Sequence, residues 1–84
     1  MPYILPEDRV KYDEFLDKMP IPQRKGDLEY CVFKLMELYR SCQAGRYSDL
    51  HDCTYAVQHC ADEFRRLYLD KREDAAREAN GDVL

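Results

Sequence analysis

Hydrophobic and polar positions recur at helical spacing over most of the chain, and two stretches carry the most regular pattern. With successive residues placed about 100° apart, the apolar residues of 27–43 fall in one stripe. A second stripe runs through 49–79, with apolar residues at alternating spacings of three and four. The stripes consist of Leu28, Cys31, Val32, Leu35, Leu38, Tyr39 and Cys42, and of Leu50, Cys53, Val57, Cys60, Phe64 and Leu67. Between them, Gly45 suits a helix C-cap and Ser48 an N-cap, so the pattern predicts an antiparallel helical hairpin.

The N-terminal part of the chain predicts a shorter helix over 6–19. Pro6 suits a first helical turn, and the two acids after it would lie at the positive end of the helix dipole. Tyr12, Phe15 and Met19 follow at helical spacing, and the proline after Met19 ends the pattern. We therefore predict one all-α domain, with an extended tail over 1–5, a linker over 20–26 and a second tail over 80–84.

The second long helix is predicted to extend beyond its partner. At 1.5 Å per residue, 49–79 would span roughly 45 Å and 27–43 roughly 24 Å. Phe33 and Leu69 are apolar residues that lie off the two core stripes. The same surface of a second copy can bury such an overhang and such residues. The pattern thus predicts a homo-oligomer with Phe33 and Leu69 at its interface.

Composition and charge exclude several classes of protein. The chain has 84 residues and a net charge of −4, whereas duplex nucleic acid is bound by strongly basic surfaces. No apolar run approaches the roughly 20 residues that cross a membrane. The N-terminus lacks the basic start and apolar core of a signal peptide. We expect a cytoplasmic protein without membrane or duplex nucleic-acid partners.

All four cysteines lie on the predicted core stripes, and three interpretations remain open. The favoured one is that they are reduced, small apolar side chains, because cytosolic thiols are normally reduced. Cross-helix disulfides and a metal role are the alternatives. Against a metal role, His51 and Cys53 would point about 160° apart on a helix, and His59 is placed no better. We predict no metal site.

No sequence motif indicates catalysis. The chain contains no glycine-rich phosphate loop and no nucleophile elbow. Its acids lie at salt-bridge spacing, as Asp70 and Asp74 do around Lys71 and Arg72. We predict a protein that is not an enzyme and needs no cofactor.

Tyrosines and arginines are the residues that suggest a binding function. The chain has seven tyrosines, several of them off the core stripes, and basic residues cluster in the last helix. Tyrosine can stack on a base and arginine can pair with a phosphate, although both also suit protein interfaces and solvated helix faces. The candidate ligand-binding residues are Arg65, Arg66, Tyr68, Lys71, Arg72, Tyr3, Tyr30 and Tyr55.

Several short segments resemble a family of small uncharacterised proteins found in phages and prokaryotic genomes. They are Met1-Pro2-Tyr3-Ile4, Glu7-Asp8-Arg9, Gly26-Asp27-Leu28-Glu29-Tyr30, Tyr47-Ser48-Asp49-Leu50, Glu73-Asp74 and Asn80-Gly81-Asp82-Val83. The resemblance covers nearly the whole chain and is most distinctive at the two termini. It implies no catalytic residues, and it favours a biological setting in which very small proteins inhibit or sequester components of host defence.

These observations favour a non-catalytic homo-oligomer that sequesters a nucleotide-derived signalling molecule. The alternative is an inhibitor or adaptor that binds and blocks a host defence or regulatory protein through its off-core aromatic residues. A phage-encoded chain of either kind would act in the host cytoplasm.

Overall fold

The computed structural model describes residues 2–84, and this part of the chain is all-α, as the sequence predicts. Helices α1 (Pro6–Leu16), α2 (Lys25–Ser41), α3 (Tyr47–Phe64) and α4 (Asp70–Asn80) follow in order. The segment between α3 and α4, Arg65–Leu69, is π-helical. It joins the two helices without a break, so the fold consists of three helical rods. Met1, the first residue of the predicted tail, lies outside the described residues.

Helix α1 ends three residues earlier than predicted and stands apart from the other helices. The amides of Lys18 and Met19 donate to the carbonyls of Phe15 and Leu16, both at 3.2 Å, and form a tighter turn before Pro20. No Cα atom of α1 lies within 8 Å of another helix. Its apolar residues Val10, Tyr12, Phe15 and Leu16 are all exposed.

Helices α2 and α3 begin two residues earlier than predicted because each uses an aspartate in its first turn. The Asp27 carboxylate accepts a hydrogen bond from the Arg24 amide at 3.2 Å, and the Asp49 carboxylate accepts one from the Arg46 amide at 3.0 Å. Each bond satisfies a backbone donor at a helix start. Ser48 is therefore a first-turn residue and not the predicted N-cap.

The loop between α2 and α3 also differs from the prediction. Helix α2 ends with Cys42 as its C-cap. Gly45 lies three residues further on, in the loop, with a φ of +78°. Such a φ favours glycine because a side chain would be strained there. Gly45 therefore shapes the turn into α3 rather than capping α2.

The contact between α2 and α3 is small and centres on Cys53. Within residues 2–84, Cys53 is the one hydrophobic residue that is buried, with 8% of its surface exposed. Its thiol lies 3.7 Å from the Met36 carbonyl oxygen. Cys31, Val32 and Val57 are half-buried beside it. Leu67 is also half-buried, whereas the other apolar members of the stripes are exposed, including Leu28, Leu35, Leu38, Tyr39, Leu50 and Phe64.

The single chain is open and exposes far more surface than a compact domain of its size. Its accessible area is 7948 Å², whereas a folded monomer of 10.0 kDa exposes about 5,200 Å². The radius of gyration is 16.7 Å, against about 12 Å for a compact domain of this length. The chain by itself therefore has almost no hydrophobic core.

Candidate functional site

The predicted basic and aromatic stretch coincides with the π-helical segment. A π-helical turn within an α-helix holds an extra residue, and such turns occur frequently at functional sites. Here the turn contains Arg65, Arg66 and Tyr68. The Tyr68 ring contacts the ring of Phe64, with centroids 4.8 Å apart and planes tilted by 46°. The two rings form an exposed aromatic pair at the end of α3.

Beside this pair, α2, α3 and the start of α4 line an apolar groove of about 770 Å³. Leu28 and Val32 of α2 form one wall, and Val57 and Ala61 of α3 lie on the other. The remaining lining residues are Cys60, Asp62, Phe64, Arg65, Tyr68, Leu69 and Arg72. The structure therefore brings together three predicted ligand-binding residues, Arg65, Tyr68 and Arg72, and one predicted interface residue, Leu69.

The two arginines of the groove, Arg65 and Arg72, have long ion pairs or none within residues 2–84. Arg65 Nη2 lies 3.7 Å from Asp62 Oδ1, and Arg65 Nε lies 3.9 Å from Asp70 Oδ1. These ion pairs are long and solvent-exposed, and such pairs contribute little energy. Arg72 forms no ion pair with any residue of 2–84. The groove thus combines an apolar floor with positive charge at its edge.

Arg66 lies outside this groove, in a separate hollow of about 360 Å³ lined by Pro2, His59, Asp62, Glu63 and Arg66 itself. The Arg66 guanidinium donates to the Glu63 carboxylate. This hydrogen bond holds the pKa of the Glu63 carboxyl below its ordinary value, and the Tyr3 hydroxyl acts more weakly in the same direction. The structure therefore places Arg66 and Tyr3 together but separates both from the groove.

Four aromatic rings form a row along α3 that was not predicted from the sequence. Tyr47, His51, Tyr55 and His59 follow at intervals of four, with successive ring centroids 4.3, 5.6 and 6.3 Å apart. Residues four apart share a helix face, so the repeated spacing of rings was a signal available in the sequence. We call these four residues the aromatic row; by helical geometry it lies opposite the face that carries Cys53.

A family model described as a domain of unknown function, DUF6899, matches residues 1–83. The chain belongs to the DUF6899 family. No curated protein matches the chain, and no solved structure matches it. Membership of an uncharacterised family agrees with the resemblance seen in the sequence and brings no activity with it.

The other predicted residues of this DUF6899 chain are scattered. Tyr30 lies on the exposed surface of α2, with Lys34 Nζ 5.6 Å from the centre of its ring. Phe33 is also exposed on α2. Tyr55 belongs to the aromatic row, and Lys71 forms no ion pair within the described residues. The eight predicted ligand residues therefore do not form one site in a single chain.

The cysteines of the DUF6899 chain are all free thiols. Cys53 is buried and Cys31 half-buried, but Cys42 and Cys60 are exposed, unlike the core positions predicted for them. Over residues 2–84, no three His, Cys, Asp or Glu side chains come close enough together to hold a metal ion. The described helices include none that is both long and apolar enough to cross a membrane.

Proposed function

We propose that this DUF6899 protein is a non-catalytic binding protein that acts as a homo-oligomer and sequesters a nucleotide-derived molecule. The observation that supports the proposal is the groove, in which Arg65, Tyr68 and Arg72 lie around an apolar floor. Its volume lies within the ~300–1,000 Å³ of ordinary small-molecule sites. In this proposal α2 and α3 form the antiparallel hairpin that supports the groove, since Val32 and Val57 line it together.

The chemistry of the groove suits a ligand with a flat aromatic part and an anionic part. A base can stack on the exposed Tyr68 ring, which Phe64 supports from the side. The Arg65 guanidinium can form a bidentate pair with a phosphate, and its long ion pairs are weak competitors. The apolar wall favours burial of the base. No bond is made or broken in such a role.

The biological setting follows from the resemblance to small phage and prokaryotic proteins. A small protein that binds a nucleotide-derived signal without altering it would lower the free concentration of that signal. In a phage-encoded protein, this would blunt a defence response in the cytoplasm of the host cell. The proposal therefore commits to sequestration and to an anti-defence role.

Isothermal titration calorimetry against a panel of linear and cyclic nucleotides tests the proposal. We expect one class of nucleotide to bind the folded protein. Arg65→Gln should weaken that binding at least tenfold because it removes a charge-assisted hydrogen bond worth about 1.5–3 kcal/mol. Arg77→Gln is the matched control, since Arg77 lies outside the groove and should leave the affinity unchanged. The proposal is wrong if no member of the panel gives a heat of binding.

The aromatic row favours a second candidate, an inhibitor or adaptor that binds a host protein. Exposed tyrosine rings are common at protein interfaces, and the row leaves Tyr47 and Tyr55 at least half exposed. Affinity capture from a host lysate separates the candidates. A host protein that is captured in stoichiometric amount by the wild-type chain but not by the Tyr55→Ala variant supports the inhibitor or adaptor. A small molecule released when the captured protein is heated supports sequestration.

A further inference from the structure

The surplus surface of the chain has the size of an obligate protein interface. The chain exposes 7948 Å², roughly 2,700 Å² more than a compact monomer of its mass. Obligate dimers bury about 2,000–5,000 Å² in total, or about 1,000–2,500 Å² per copy. A second copy could therefore remove most of this surplus, whereas a small ligand could not. The groove is an apolar part of that surface, with walls formed by α2 and α3.

When two copies of this chain are placed with their last helices antiparallel, an acidic residue of the groove in one copy lies opposite a basic residue in the other. Asp62 and Arg72 both line the groove, and each lies five residues from Leu67. In two antiparallel copies related by a two-fold axis at the level of Leu67, Asp62 of each copy lies opposite Arg72 of the other. The same two-fold axis forms this pair twice, so an aspartate and an arginine meet at each end of the contact.

We propose that a second copy of this chain covers the groove, with the two helices antiparallel and Asp62 of each copy paired with Arg72 of the other. Ten residues of helix separate the two positions by about 15 Å. The two ion pairs would thus bracket a contact centred on Phe64, Tyr68 and Leu69, each of which is at least half exposed in the single chain. Such an interface is isologous and closed, which limits assembly at this surface to two copies.

The side chains at both ends of this contact are available for pairing. Arg72 has no ionic partner within residues 2–84. The Asp62 side chain is 53% exposed, and its internal pair with Arg65 is 3.7 Å long. A second copy related by this axis supplies the opposite charge at both ends of the contact.

The inference rests on the homo-oligomer part of the proposed function and sharpens its ligand part. If Arg72 pairs with Asp62 of the second copy, Arg65 is the groove arginine that remains for the anionic part of a ligand. The ligand would then be enclosed between the two copies, near the two-fold axis. Oligomer formation and nucleotide binding are separate measurements, so each claim can fail without the other.

Charge reversal followed by mixing tests the pairing. Asp62→Arg puts two arginines together at both ends of the contact, and Arg72→Asp puts two aspartates together there. Each variant alone should raise the dimer dissociation constant at least tenfold in sedimentation equilibrium. An equimolar mixture of the two variants should form a heterodimer with an affinity near that of the wild-type dimer, because each end then joins one acid and one base. Asp52→Arg and Arg77→Asp are the controls, since neither residue lines the groove.

The mixture decides the outcome even if the single variants lose helicity when they dissociate. Recovery of the dimer and of its helical circular dichroism on mixing supports the antiparallel pairing. A mixture that stays as dissociated as its components overturns it, and so do single variants that dimerise as well as the controls. A wild-type chain that is monomeric yet binds a nucleotide would overturn the inference and leave the ligand proposal standing.

Discussion

Cys53 is the residue on which the contact between α2 and α3 depends. It is buried, and its thiol lies 3.7 Å from the carbonyl oxygen of Met36, on the facing helix. The sequence predicted a core position for all four cysteines, but Cys42 and Cys60 are exposed. A hydrophobic stripe shows which side of a helix faces a partner, but it does not show how far along the helix the partner extends. That limit explains why one cysteine fits the prediction fully and two do not.

This difference between cysteines can be measured. Cys53→Ala should lower the free energy of unfolding by about 1 kcal/mol because it leaves a gap between α2 and α3. Cys42→Ala should change it by less than about 0.5 kcal/mol, as is usual for an exposed position. Urea denaturation at one fixed protein concentration provides the comparison, since the stability of an oligomer depends on concentration. Equal effects of the two substitutions would contradict the assignment of Cys53 to the contact.

At the scale of single helices, the sequence located each helix but missed how the helices begin and how the last one is interrupted. The carboxylates of Asp27 and Asp49 each accept a hydrogen bond from the backbone amide three residues before them, and both helices begin two residues earlier than predicted. The π-helical segment Arg65–Leu69 could not be predicted, because periodicity in 49–79 is compatible with one regular helix. The aromatic row could have been found, because its rings recur every four residues.

The first-turn aspartates should each contribute measurable stability. Asp49→Ala should destabilise the protein by about 1 kcal/mol, because the Arg46 amide loses its partner and the helix dipole loses a favourable charge. Asp52→Ala is the matched control on the same helix, since Asp52 accepts no such bond. Thermal unfolding followed by circular dichroism compares the two variants. If Asp52→Ala is as destabilising as Asp49→Ala, the capping role of Asp49 is wrong.

The sequence predicts an overhanging helix and a homo-oligomer, and in our proposal the groove lies where two copies meet. Of the predicted residues, Arg65, Tyr68, Arg72 and Leu69 come together in the groove. Tyr3 and Arg66 meet on a second surface, and Tyr30 and Phe33 lie on the outer surface of α2. Local sequence patterns do not specify which surfaces of separate helices meet, so the distribution of the predicted residues over several surfaces could not be predicted.

We propose that this chain completes its fold by pairing with a second copy of itself. Sedimentation velocity of the wild-type protein over a micromolar concentration series measures this pairing. We expect a particle of at least twice the 10.0 kDa chain mass, with the folded monomer absent or confined to the lowest concentrations. A stable, helical particle of the single-chain mass throughout the series would contradict it.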